Sequence, residues 1–159
     1  MSQALHNSSY AERNSLINKL KKILPAQYIL SEDEELRPYE CDGLSAYRQL
    51  PWLVVLPGTI EQVQEILRTC YREKIPVVAR GAGTGLSGGA LPLEKGVLLS
   101  LSRFTEIIGI DPVNRTAKVQ PGVRNLAISQ AAEKHGLYYA PDPSSPIACT
   151  IGGNIAENS

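Results

Sequence analysis

One stretch constrains this chain more than any other. Residues 80–90 read R-G-A-G-T-G-L-S-G-G-A, with glycine at five of the eleven positions. The stretch follows directly on Val77–Ala79, an apolar triplet that reads as a strand. Glycine tolerates positive φ and lets another group come close to the backbone. Successive N–H groups in such a loop form a concave nest suited to phosphate oxygens. Each charge-assisted hydrogen bond is worth roughly 1.5–3 kcal/mol, so a few of them hold a pyrophosphate with no lysine in the loop. A tight surface turn is the plain alternative, and glycine this dense after a buried strand argues against it.

Two well-known phosphate loops do not fit. A Walker A loop requires Lys-Ser/Thr after its last glycine, and here Gly89 is followed by Ala90-Leu91. Gly83, Gly85 and Gly88 satisfy the dinucleotide spacing G-x-G-x-x-G. That fingerprint needs a helix to start at the loop, so that its N-terminus meets the phosphates. Pro92 and Gly96 leave no room for one, and the nearest downstream acid outside that turn, Glu106, precedes its strand instead of ending one.

The flanks read as alternating strands and helices. Leu16, Ile17, Leu20, Ile23 and Leu24 have helical spacing, which predicts a helix from Tyr10 to Leu24 stopped by Pro25, with residues 1–9 loose before it. Residues 31–50 are polar and irregular, and Asp33, Glu34 and Glu35 read as a solvated charge run. Trp52–Leu56 is a short apolar run ended by Pro57-Gly58, consistent with a buried strand. Thr59 with Gln62 is a capping-box pattern, and Ile60, Val63, Ile66, Leu67, Cys70 and Tyr71 then line one helical face up to Pro76. With Val77–Ala79 this makes a β-α-β unit with parallel strands and a right-handed crossover. Val97–Leu101 is a further strand, and Ile107–Ile110 with Thr116–Val119 flank a hairpin turn. A helix is expected from Leu126 to His135, with Gly136 as its stop, and a loop-like tail after Tyr138. Residues 1–49 are thus expected to be an N-terminal helical and irregular segment, and residues 50–159 a domain; no internal repeat is visible.

Bulk properties narrow the function classes. Sixteen basic and sixteen acidic residues among 159 cancel, which speaks against nucleic acid as a partner. Cys41, Cys70 and Cys149 form neither a paired framework nor a metal motif. The longest apolar runs fall far short of the about 20 residues that span a bilayer, and the start lacks a signal pattern. A cytoplasmic protein, at most peripheral on a membrane, is expected.

Several motifs in order resemble the vanillyl-alcohol-oxidase or p-cresol-methylhydroxylase (PCMH) type of FAD-linked oxidases. They are the loop R-G-A-G-T-G-L-S-G-G-A, then Leu56-Pro57-Gly58-Thr59, Val119-Gln120-Pro121-Gly122-Val123, Pro141-Asp142-Pro143-Ser144-Ser145 and Thr150-Ile151-Gly152-Gly153-Asn154-Ile155-Ala156. The likeness covers about residues 50–159 and is strongest toward the branch of glycolate oxidase FAD subunits and D-lactate dehydrogenases. It implies an α+β fold, incomplete here, in which a small β-α-β subdomain precedes a mixed or antiparallel sheet flanked by helices. It also implies a set of cofactor residues. Gly81, Ala82, Gly83, Thr84, Gly85, Gly89 and Ala90 would wrap the pyrophosphate, with Arg80 and Leu86 counted among the cofactor residues beside them. Pro121 and Gly122 would lie near the isoalloxazine, and Pro141, Asp142, Ser144 and Ser145 near the flavin and ribityl chain. Thr150, Gly152, Gly153, Asn154 and Ala156 would meet the rest of FAD.

Some relatives link FAD through a histidine in the glycine loop. Here that region offers Thr84, and neither His6 nor His135 is near it, so non-covalent FAD is expected. The implied reaction is hydride transfer from the α-carbon of a small 2-hydroxy acid to flavin N5. No base, substrate arginine or metal ligand stands out; the resemblance puts those in a later domain. The last residues, Glu157-Asn158-Ser159, break off inside a motif that continues in relatives, so a fragment without turnover is expected. Possible partners by the same likeness are a second flavin-fold subunit and an iron–sulfur subunit. Rival readings are a sugar oxidase or cell-wall precursor reductase of the same fold, or a non-catalytic remnant.

Single residues stay open to two readings. Arg80 either faces the phosphates or is a strand-end surface charge, and Asn154 either binds cofactor or braces its own loop. His135 reads as a solvent-exposed or dipole-complementing group, and Tyr138 and Tyr139 as packing residues.

Overall fold

The stretch Val97–Ser100 has no polar alternation until its last residue, the pattern of a strand covered on both faces. In the computed structural model, which describes residues 2–141 and 143–158, it forms β4, and all four residues are buried. β4 pairs in parallel with β2 (Leu53–Val55) on one edge and with β3 (Val77–Arg80) on the other. β1 (Ile29–Leu30) adds antiparallel to β2, giving the order β1-β2-β4-β3. The expected β-α-β unit is present, with α3 (Ile60–Arg72) joining parallel strands. Its two strands are not neighbours, however, because β4 enters between them. The β-α-β connection makes β2 and β3 parallel but does not make them neighbours, and both inner strands, β2 and β4, are apolar and buried.

The sheet separates two apolar layers. On one face Leu53, Val55, Val97 and Leu99 pack with Ile66 and Cys70 of α3 and with Leu16, Leu20 and Leu24. On the other, Val54 and Leu98 pack with Leu36. Leu16 and Leu20 belong to α1, which runs from Ser2 to Leu20 and so starts well before Tyr10. Residues 2–9 contain no glycine or proline to interrupt a helix already nucleated. The chain turns after Leu20 rather than at Leu24, although the Leu24 N–H still donates to the Leu20 carbonyl at 2.9 Å. Arg13 ties α1 to the sheet, donating from Nε to the Trp52 carbonyl at 3.0 Å and from Nη2 to that of Ser31. The acidic run is exposed as expected, but it is also a helical turn, α2 (Asp33–Leu36), closed by a reciprocal Glu32–Glu35 capping box.

On α3 the N-cap works as read, with Thr59 Oγ1 accepting from the Gln62 N–H at 3.3 Å. The Gln62 side chain reaches one residue further back than a capping box, accepting from the Gly58 N–H at 2.8 Å. The apolar face is narrower than its spacing suggests. Ile66 and Cys70 are buried, whereas Ile60, Leu67 and Tyr71 are exposed.

Beyond β4, β5 (Ile107–Asp111) and β6 (Thr116–Val119) form the expected hairpin. The Asp111 carboxylate accepts from the Val113 and Asn114 N–H groups, each at 3.0 Å, which closes the turn. α4 (Asn125–Glu133) follows, and Gly136 takes a φ of +68° after it. The tail is not all loop: α5 spans Ile151–Ala156. Adjacent glycines each cost about 1 kcal/mol in a helix, which hides it from propensity. Tertiary contacts override that cost. The N–H groups of Ile151 and Gly152 donate to the carbonyls of Val123 and Pro121, both at 2.9 Å. Ile151 is buried with Val123 and Ile128 in a third apolar cluster, which Tyr139 flanks. Tyr138, also expected to pack, is 77% exposed. No helix among the described residues is long and apolar enough to cross a membrane.

Leu98→Ala, at the centre of the sheet and fully buried, should cost about 2–5 kcal/mol in a urea titration. Burial and the nearby Glu73 push the Cys70 thiol from its ordinary 9.0 up to about 11. The unfolded chain therefore ionises first as pH rises, so stability should fall between about 9 and 11. Cys70→Ser should flatten that part of the stability–pH curve, and an unchanged slope would show that the thiol is not its source.

Candidate cofactor site

Parallel pairing brings the carboxyl ends of β2, β3 and β4 to one edge of the sheet. Ligands of open α/β sheets bind outside such ends. Here residues 81–90 leave β3, and Leu101 follows β4, its N–H donating to the Arg80 carbonyl at 2.9 Å. Pro121 and α5 close the opposite side. Between them lies a cleft of about 540 Å³.

Nearly all expected cofactor residues line that cleft: Arg80, Gly81, Ala82, Gly83, Thr84, Gly85, Leu86, Gly89, Ala90, Pro121, Ser144, Ser145, Thr150, Gly152, Gly153, Asn154 and Ala156. Gly122 lines an adjoining hollow of about 420 Å³, which shares Gly81, Ala82 and Thr150 with the cleft. Pro141 lines neither; its carbonyl accepts from Asn125 Nδ2 at 3.0 Å. Asp142 lies outside the described residues.

The close approaches explain the residue types. A Cβ on Gly81 would lie 2.4 Å from Thr150 Oγ1, so only glycine lets the loop meet the start of α5. Gly83 has a φ of +70°, and a Cβ there would lie 2.3 Å from the Arg80 guanidinium. Arg80 itself is buried and corrects the surface-charge reading. Its Nη1 donates to the carbonyls of Cys41 at 2.7 Å and of Tyr39 and Ala90 at 3.4 Å. Burial pulls its pKa below the ordinary value, while Cys41, Asp42 and Tyr39 act to raise it; an arginine so placed stays charged.

Two buried polar atoms at this site have no hydrogen-bond partner among the described residues: Thr150 Oγ1 and Asn154 Nδ2. An unsatisfied buried group costs about 1–3 kcal/mol. A hydroxyl and an amide N–H₂ facing a glycine loop suit a ligand rich in oxygen acceptors. Asn154 thus braces no loop through its Nδ2.

Ser87 and Glu157 also line the cleft and were not legible in the sequence. Ser87 Oγ donates to Glu157 Oε2, and a Cβ on Gly89 would lie 2.6 Å from Glu157 Oε1. The carboxylate therefore lies across the mouth of the glycine loop. Seventy positions separate the pair, and no local pattern links them. Ala79, Leu101, Pro143 and Cys149 complete the walls.

A phosphate-suited glycine loop beside unpaired polar groups at the ends of parallel strands suits a nucleotide cofactor. The family model described as "FAD binding domain" matches residues 51–159. The chain belongs to that family, and FAD is its cofactor. The glycolate oxidase subunit GlcD of Escherichia coli (strain K12) is 67% identical over 147 residues, 92% of this chain and 30% of that protein. The D-lactate dehydrogenase of Anaerostipes hadrus is 39% identical over 144 residues, covering 90% of this chain and 30% of that one. The crystal structure of p-cresol methylhydroxylase with substrate bound superposes with a TM-score of 0.78 at 28% identity, covering 93% of this chain and 29% of that one. The fold is thus PCMH-type, and the chain spans about 30% of the length of the curated relatives it matches.

The Gly81–Thr150 contact can be isolated. Gly81→Ala should cost about 1–3 kcal/mol through overpacking. Thr150→Ala removes the opposing hydroxyl, so the double variant should recover much of that loss in a thermal-denaturation cycle.

Proposed function

We propose that the chain holds FAD non-covalently in the cleft as the flavin-binding part of a 2-hydroxy-acid oxidoreductase acting on glycolate or D-lactate. The observation that carries the binding mode is the meeting of the glycine loop with the unpartnered Thr150 hydroxyl and Asn154 amide. The 67% identity to a protein named as a glycolate oxidase subunit supports the substrate class. Bound FAD supplies the two-electron chemistry, acceptance at N5 of a hydride from the substrate α-carbon.

The protein residues divide the remaining work. Loop N–H groups of residues 81–90 take the pyrophosphate oxygens, with Arg80 beneath them as a buried positive charge. Thr150 and Asn154 hold polar atoms further along the cofactor, and Pro121 and Gly152 shape the wall beside them. Among the described residues lining the cleft, the charged ones are Arg80, committed to carbonyls, and Glu157, committed to Ser87. We therefore assign no substrate base to this chain. The word "subunit" in the relative's name supports an assembly, for which a second flavin-fold subunit and an iron–sulfur subunit are the partners we propose.

The purified chain should show flavin absorption bands after incubation with FAD. Acid precipitation should release the flavin quantitatively; retention on the denatured chain would refute non-covalent binding. Gly83→Val, strained by its φ of +70° and by Arg80, should lose the flavin. The 159-residue chain should not oxidise glycolate or D-lactate, and measured turnover would place a base within it.

A further inference from the structure

The segment before the FAD-binding match touches the glycine loop from behind. Gly43 stands outside residues 51–159 and does not line the cleft. A Cβ there would lie 2.7 Å from the Thr84 carbonyl oxygen and 2.8 Å from that of Gly85. These contacts are with backbone, which cannot swing aside as a flexible side chain does. Gly43 is itself held in place. Asp42 is buried, and its Oδ1 accepts from the Leu44 N–H at 2.9 Å, which closes a turn around Gly43. Two residues back, the Cys41 carbonyl accepts from Arg80, whose guanidinium also underlies Gly83.

The direction of these carbonyls matters. In a trans peptide the C=O and the following N–H point opposite ways, and the chain has no cis bond among the described residues. Carbonyls of Thr84 and Gly85 turned toward Gly43 therefore aim the N–H groups of Gly85 and Leu86 away from it. Thr84, Gly85 and Leu86 line the cleft, whereas Gly43 does not. Neither N–H donates to a backbone carbonyl among the described residues.

We propose that Gly43 and Arg80 are positioning residues for the cofactor: Gly43 from outside the cleft, and Arg80 from its wall against Gly83, set the peptide planes of residues 83–86, so that the N–H groups of Gly85 and Leu86 meet a diphosphate. The proposal rests on the FAD reading above and extends the site to residues 39–43, which neither the glycine motif nor the family match includes. A larger residue at position 43 displaces both carbonyls and turns both N–H groups off axis. Lysine in place of Arg80 keeps the charge, but its single ammonium replaces a planar group that reaches three carbonyls.

The test is a binding split measured on the full chain with three probes: FAD, ADP and riboflavin. ADP carries the diphosphate without the flavin ring, and riboflavin the ring without a diphosphate. G43A should weaken FAD and ADP at least tenfold each, leave riboflavin within twofold, and leave the melting temperature within a few degrees. Gly109, with nothing within 4 Å of its Cβ position, provides the control G109A, which should change none of the three. Should G43A fail to fold, R80K decides with the same three probes and the same expected split. Unchanged ADP affinity in a folded variant overturns the proposal, as does an equal loss of ADP and riboflavin binding. Failure of the wild-type chain to bind FAD would instead sink the cofactor reading itself.

Discussion

β4 has neighbours on every side. Its backbone pairs with β2 and β3 along both edges, and its side chains enter apolar layers on both faces. A strand so placed cannot leave an N–H or C=O unpaired without the full cost of burial. Both partners run parallel to it, Val55 beside Leu99 and Arg80 beside Ser100, with their carboxyl ends level to within one residue. That levelling puts the exits of β3 and β4 side by side, so the loop after Arg80 and the turn after Leu101 start from a common base. The cleft is a consequence of this pairing before it is a consequence of any residue that lines it.

What could be read from the sequence follows from distance along the chain. The glycine loop, the N-cap at Thr59 and the hairpin turn at Asp111 are local, and spacing reveals them. The entry of β4 between β2 and β3 joins strands that are not consecutive, and hydropathy carries no information on their order. α5 escaped because its reason to exist is remote: the carbonyls of Pro121 and Val123 take its first N–H groups, while its two glycines argue against a helix. The Ser87–Glu157 hydrogen bond and the contact of Gly43 with the loop were invisible for the same reason. The residues inferred by family likeness gather on one cleft apart from Gly122, Pro141 and the undescribed Asp142, since motifs in fixed order carry tertiary information that local periodicity lacks.

Arg80 illustrates how burial changes the meaning of a charge. At a strand end beside a loop it could be read as facing a phosphate or facing water. In the fold it does neither alone. Its guanidinium gathers carbonyls from residues 39, 41 and 90, joining an N-terminal segment to both ends of the glycine loop. A group with five donors in a rigid fork can do this where a flexible ammonium cannot. The same side chain lies directly under Gly83, so its field reaches the loop through the place where a Cβ would otherwise stand.

Glu157 adds a thermodynamic turn. Its carboxylate shares the loop's mouth with Ser87 and lies against Gly89. On the reading proposed above, a diphosphate entering the loop would meet a negative charge already at its mouth, and its association would exchange one anion for another. The affinity would then be a difference between two competing affinities of the same cradle, and the release of a tethered side chain into water would enter it alongside the contacts made.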